Sequence, residues 1–508
     1  MSRQYITTAI DYANASPHMG HVMEKILADV CARWFRLRGD EVRFQIGMDE
    51  HGIKIQETAA KQGLTPAALV EKMAPVYRDL YGRLGISEDV FVRTTDRDAH
   101  WPTVIELWKR LETSGALEKR SYAGLYCVGC ERFYTAKDLV DGKCPLHLTV
   151  PQEVKEENWF FLLGRETAWL QEALAKEYRI IPEQRAHETF SLLDRGLEDV
   201  SFSRPRSSLE WGIPVPGDEG QTMYVWCDAL TNYISGIGLL TDHAQPEWWD
   251  DATVTHVIGK DIARFHALIW PAMLKHAGVT LPDRLLIHGF LTSEGQKMSK
   301  SIGNVVSPEE VLAHVDGNAD VLRFYLSHEI PVGNDGDFSW KRFDELYDAK
   351  LRNQLGNLLN RVLVLLRKGT EGELAIGPHA LSPDVERQWT SYRTAMDAFE
   401  LQDALQAAWS LCVSGNVFID THKLWTKKGE EKTKELSALA ELLRHVSLML
   451  LPFIPRTAQR MARQLHLPYA DRMLAKDFVI TDEMKAWGGV ADWKRVGEPE
   501  ILFPPLGK

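Results

Sequence analysis

The segment IDYANASPHMGH, running from Ile10 to His21, sits between two patterns that together decide the fold. Before it, Gln4 to Thr8 reads as a strand. After it, Val22 to Leu37 places Ile26, Leu27, Val30, Trp34 and Phe35 at helical spacing, and Gly39 offers a stop. His18-Met19-Gly20-His21 therefore falls where a strand turns into a helix N-terminus. Such a turn presents unpaired backbone N–H groups and a favourable dipole to phosphate. Two imidazoles can donate to phosphate oxygens, and Gly20 lets a flat base approach the backbone.

The alternation continues outward. Val42 to Ile46 reads as strand, Pro66 to Leu84 as helix, Val90 to Arg93 as strand and Ala99 to Leu111 as helix. This is half of an open parallel α/β sheet, on which ligands bind beyond the strand C-termini. Asp49, in the run Asp49-Glu50-His51-Gly52, lands on that rim. It suits a substrate ammonium, and a helix-capping aspartate fits the local sequence equally. The sheet pattern resumes near residue 222. Tyr224 to Leu230 runs from strand into helix, Val254 to Ile258 is a strand, and Gly259 and Asp261 occupy the next turn. Asp261 there can accept from a ribose hydroxyl. Ile262, His266 and Trp270 recur four apart, which also fits a core stripe.

Lys297-Met298-Ser299-Lys300-Ser301 lies between Gly295 and Gly303, after the apolar run Leu285 to Phe290. Two lysines with short hydroxyl residues suit a polyanion that is held and released. Ser307-Pro308-Glu309-Glu310 then opens a helix. Residues 117–214 interrupt the sheet pattern. They contain Cys127 and Cys130, then Cys144 and His147, in C-x2-C and C-x2-H knuckles that suit tetrahedral structural zinc. Cys31, Cys227 and Cys412 fall in helical or apolar contexts and read as core. From about Trp340 the chain becomes long helical segments.

Composition is that of a soluble globular protein, at 44% hydrophobic and 26% charged, and no apolar run reaches bilayer length. A net charge of -12 means that a nucleic-acid partner would need local basic patches. Six cysteines in 508 residues do not form a disulfide framework, and the start of the chain reads as strand with no signal peptide. A reducing cytoplasm is the expected setting.

HMGH at 18–21 and KMSKS at 297–301, in this order and far apart, resemble the two signatures of class I aminoacyl-tRNA synthetases, with HMGH for the commoner HIGH. The likeness covers nearly the whole chain and in its detail is to the methionyl-tRNA synthetase family. It implies a Rossmann-like, doubly wound parallel sheet in two halves, 1–116 and 215–339, around a connective zinc-knuckle insertion, 117–214. An all-α anticodon-binding domain would follow at 340–508. It further implies that His18, Gly20, His21, Lys297 and Lys300 serve catalysis, and that Gly259, Asp261, Ser299 and Ser301 join them around ATP. By the same resemblance Asp49 takes the methionine amino group, and Ile10, Tyr12, Trp226, Tyr233, Ile262, His266 and Trp270 enclose the thioether. The Tyr233 hydroxyl and the Ile10 backbone N–H would mark the sulfur. Asn357, Arg361 and Trp425 would read the anticodon, although Leu424 stands where the family usually has proline. Expected ligands are ATP, Mg2+ and one structural Zn2+, and expected partners are L-methionine and tRNA(Met), the initiator included. The insertion is too small for a hydrolytic editing domain, and a monomer is expected. A non-catalytic tRNA-binding paralogue and a synthetase of other amino-acid specificity are the competing readings.

Overall fold

The computed structural model describes residues 2–127, 132–134, 138–145, 148–297 and 305–507, with backbone alone for Tyr122, Ala123, Arg132, Phe133, Gln296 and Lys297. Its centre is a parallel sheet. The strand Arg3–Thr8 lies between Glu41–Asp49 and Ala252–Gly259, and Arg284–His288 and then Arg179–Ile181 extend it on the latter side. Val90–Arg93 pairs with the other edge of Glu41–Asp49, and Asp11–Tyr12 pairs with that strand's end. The strands around the middle are buried along most of their length, as expected for strands covered on both faces, and Gln4, Thr7, Thr8, Thr255 and His256 are buried with the apolar residues.

The helix Met19–Arg38 follows the first strand and is buried along most of its length. It packs on the sheet with one face and against the helix Ala319–Glu329 with another. Gly39 ends it at φ 96, where a left-handed residue lets the chain turn back into Glu41–Asp49. The first two strands, the helix at Pro66–Leu84 and the strand at Val90–Arg93 thus lie where the alternation places them.

The interrupting region is less separate than its sequence suggests. Leu117–Cys127 and Gln152–Phe161 form an antiparallel pair in a small sheet of their own. Yet Arg179–Ile181, inside the same region, returns to the main sheet and pairs with Arg284–His288. Three residues are too few for a periodic signal, so this strand is silent in the sequence.

The long helices Ser382–Asp397, Leu401–Thr421 and Gly429–Leu450 build the C-terminal region. A strut joins it to the sheet. Arg323, fully buried, pairs with Asp29 of the helix Met19–Arg38 at 2.7 Å and donates to the carbonyls of Phe453 at 2.8 Å and Pro452 at 2.9 Å.

Candidate active site

The strand ends converge on one rim. Thr8 pairs in register with Val257, Gly259 with His288, and Tyr12 with Asp49. His18 caps the helix that starts beside them. Its φ of -115 and ψ of 171 are extended, and its Nδ1 accepts from the backbone N–H groups of Gly20 at 3.1 Å and His21 at 3.4 Å. His21 closes the box in return, its Nδ1 accepting from His18 N–H at 3.3 Å. A cap of this kind stabilises a helix by about 1 kcal/mol. The first-turn amides that the sequence offers to phosphate are therefore partly used by the motif itself. A Cβ on Gly20 would stand 3.0 Å from the His18 ring, so glycine protects the cap.

That cap fixes the chemistry of both rings. Each Nδ1 is an acceptor, so each neutral ring carries its proton on Nε2. The rings stack with centroids 3.7 Å apart. Desolvation lowers the pKa of both, and for His18 the nearness of His21 lowers it further, although the outer edge of His18 stays open to water; His21 is brought to about 3. The result is a pair of parallel, uncharged Nε2–H donors at the rim.

The residues expected to enclose the amino acid form a packed aromatic cluster. Tyr233 lies 5.5 Å from the His266 ring and 5.8 Å from Trp270, and Trp226 lies edge-on to His266 at 6.2 Å. Tyr12 and Ile262 pack against the same apolar cluster. His266 Nδ1 faces the Ile262 carbonyl at 2.9 Å and must donate, which leaves Nε2 to accept the Tyr233 hydroxyl proton at 2.6 Å. The hydroxyl expected to mark a sulfur atom thus spends its proton on His266, and its lone pairs are what it offers the pocket. The backbone widens into a π-helical turn at Phe265–Ile269, which contains His266 and leads into Trp270. Beneath, Trp270 Nε1 donates to His256 Nε2 at 3.2 Å.

Asp49 ends its strand, buried next to Tyr12. Asp261 is exposed just past Gly259, and a Cβ on Gly259 would meet the Asp261 carboxylate at 2.8 Å. Lys297 ends a short hairpin, with Thr292 opposite it and the turn at Glu294 and Gly295 in left-handed conformation. Ser299, Lys300 and Ser301 lie outside the described residues, as do Cys130 and His147. Cys127 and Cys144 are buried in one small cluster with Tyr134.

Sequence reading missed several supports. Asp228 bridges two buried imidazoles, His51 at 2.6 Å and His100 at 2.7 Å, and so anchors the loop after Asp49. Trp211 donates to the Glu50 carbonyl at 2.6 Å. These partners are far apart in sequence, and no local pattern announces them.

In the helical region, Asn357 is exposed on the helix Asn357–Thr370, one turn before Arg361. The Arg361 guanidinium pairs with Asp420 at 2.7 Å and sits 5.9 Å from the Trp425 ring, which is 50% exposed. Leu424 is buried and holds the turn in place of a proline.

A parallel sheet with paired imidazole donors at its rim is the architecture of a class I tRNA synthetase, and the family model for tRNA synthetases class I (M) matches residues 4–150 and 138–363. The model for the anticodon binding domain of methionyl tRNA ligase matches residues 369–503. Similar proteins include the methionine–tRNA ligase of Thermosynechococcus vestitus, 37% identical across 99% of this chain and 97% of the relative. The chloroplastic/mitochondrial methionine–tRNA ligase of Arabidopsis thaliana is 38% identical across 98% and 82%. The Mycobacterium tuberculosis methionyl-tRNA synthetase in complex with methionyl-adenylate superposes with a TM-score of 0.87 at 33% identity, covering 99% of this chain and 100% of that one. The chain belongs to the methionyl family of class I tRNA synthetases.

Proposed function

We propose that the protein activates L-methionine with ATP and transfers it to the 3'-terminal ribose of tRNA(Met), including the initiator. The observation that carries this reading is the pair of neutral Nε2–H donors at His18 and His21 on the rim of the sheet, in a fold that also packs Trp226, Tyr233, His266 and Trp270 into one aromatic cluster.

The methionine carboxylate is already nucleophilic and attacks the α-phosphorus in line, so no general base is required. Charge grows on the departing pyrophosphate, and stabilising it is mostly positioning and electrostatics. His18 and His21 donate to phosphate oxygens from the helix side. Lys297 and Lys300, with Ser299 and Ser301, close over the pyrophosphate from the other. Gly259 keeps the rim open for the nucleoside, and Asp261 accepts from its ribose. Asp49 takes the ammonium group. Ile10 and Tyr12 complete the pocket with Ile262, and aromatic and aliphatic walls suit a polarizable, unbranched thioether.

Mg2+ would neutralise the triphosphate it accompanies. The buried thiols of Cys127 and Cys144, in one cluster, fit half of a zinc donor set that Cys130 and His147 would complete. Such an ion would cross-link the insertion without taking part in the reaction. Asn357, Arg361 and Trp425 would read the anticodon, Trp425 by stacking and Arg361 by its guanidinium. The setting is a reducing cytoplasm, with the chain acting as a monomer. Among the described residues no helix is long and apolar enough to cross a membrane.

Amino-acid-dependent ATP–pyrophosphate exchange, without tRNA and across all twenty amino acids, tests the reading. Exchange with methionine alone is the expected result. Exchange with another amino acid, or with none from folded protein even after tRNA is added, overturns it.

A further inference from the structure

Just past His21 on its helix, Glu24 and Lys25 are buried beneath the site. Lys25 Nζ is fully covered and donates to Ala9 O at 2.9 Å, Asp11 Oδ1 at 2.8 Å and Glu24 Oε1 at 2.9 Å. Asp11 Oδ2 accepts from the Tyr81 hydroxyl. Glu24 Oε2 faces His288 Nε2 at 3.2 Å, and His288 Nδ1 faces the Gly289 carbonyl at 2.7 Å. The His288 ring thus touches Glu24 on one side and the backbone of Gly289 on the other. Asp11, Glu24, Lys25 and His288 form one connected buried cluster.

Buried ion clusters are poor stabilisers, since well-packed apolar residues of the same volume often hold a fold as well or better. The attachments of this one point to a different use. Ala9 and Asp11 flank Ile10, the first residue of the amino-acid pocket. His288 ends the strand that leads through Gly289 and Phe290 to the hairpin bearing Lys297. A Cβ on Gly259 would lie 3.4 Å from the His288 ring, so the two rim positions are in contact. The Glu24 charge is also felt by His18 and His21 on the nucleotide side and by Tyr233 and His266 on the amino-acid side.

We propose that Glu24 is a positioning residue that couples the two subsites, holding Ala9–Asp11 through Lys25 and the Gly259–Phe290 rim through His288, so that each bound substrate tightens the other. The proposal rests on methionine and ATP being the two substrates. The coupling is reciprocal by thermodynamic linkage: each ligand changes the affinity of the other by the same factor.

The test is calorimetric binding of methionine and of a non-hydrolysable ATP analogue, each alone and each in the presence of the other. It is run on the full chain, Glu24→Gln, His288→Asn and the double variant. In the unmodified protein each ligand is expected to tighten the other about fivefold or more. Glu24→Gln should bind each ligand alone within about threefold of the original, with mutual tightening below about twofold. His288→Asn should behave alike, and the double variant should lose no more than either single change. Undiminished coupling in Glu24→Gln, or losses that add in the double variant, overturns the proposal. Should Glu24→Gln not fold, His288→Asn decides on its own: coupling lost supports the proposal, and coupling kept overturns it. An original chain that binds methionine and the analogue without mutual tightening overturns the coupling alone. One that binds no methionine overturns the substrate reading on which it rests.

Discussion

The rim of the sheet and the face around Trp425 are both polar sites, but they differ in how far their side chains are already committed. At the rim, His18, His21, His266 and Tyr233 each have a partner that fixes which atom carries the proton. Around Trp425, half of the indole is open to water and Arg361 holds only an exposed carboxylate. Reaction chemistry needs donors that do not reorganise when charge develops. A surface that meets a flexible RNA loop gains from side chains that can give up a weak partner for a base or a phosphate. The first kind of residue stands here at a helix N-terminus and in buried helical turns, and the second on exposed helices.

The sharpest way to break that contrast is His21→Ala. Loss of one preorganised donor should lower pyrophosphate exchange by ~10²–10³-fold while tRNA affinity is unchanged. Equal loss in both assays would mean that the rim does not act as an independent chemical unit. Trp425→Ala is the mirror experiment. Removing one stacking platform, worth about 1–3 kcal/mol, should weaken tRNA binding about tenfold and leave methionine-dependent exchange unaltered. If exchange also falls, the two faces are not separable.

The smallest effect sharpens the comparison through pH. His21 resists protonation in the folded chain down to about pH 3, whereas an unfolded histidine titrates near 6.5. Between those values the unfolded state binds more protons, so stability is undiminished above about pH 6.5 and falls as pH drops towards 3. His21→Asn should reduce the loss between pH 7 and pH 5 by about 1 kcal/mol in urea melts, half of the roughly 2 kcal/mol of a fully shielded ring, because His21 is only half-buried. An unchanged slope would place the acid sensitivity elsewhere.

Much of the sheet was legible because its strands and the helix Met19–Arg38 carry strong, local apolar periodicity. The HMGH motif was legible for the same reason: its place at a strand-to-helix turn follows from neighbours within a few residues. Ile262, His266 and Trp270 were readable as a stripe, but their roles, and the inclusion of Tyr12, Trp226 and Tyr233, came from resemblance. What stayed hidden depends on contacts across the fold. Glu24 meets His288 and Asp228 meets His51 over separations that no window spans, and Lys25 meets Asp11 only because the chain turns back between them. The proton order in Tyr233 and His266 was unreadable as well, because it is set by a backbone carbonyl at Ile262.

Arg323 adds a last consequence. Turning the helical region against the sheet would strip a fully buried guanidinium of two carbonyls, while Asp29, on the sheet side, stays paired with it. Leaving a buried donor without its acceptor costs about 1–3 kcal/mol. The protein therefore behaves at that joint like a fixed-span gauge rather than a hinge. The spacing of the C-terminal helices from the rim of the sheet is held at this point by one buried guanidinium.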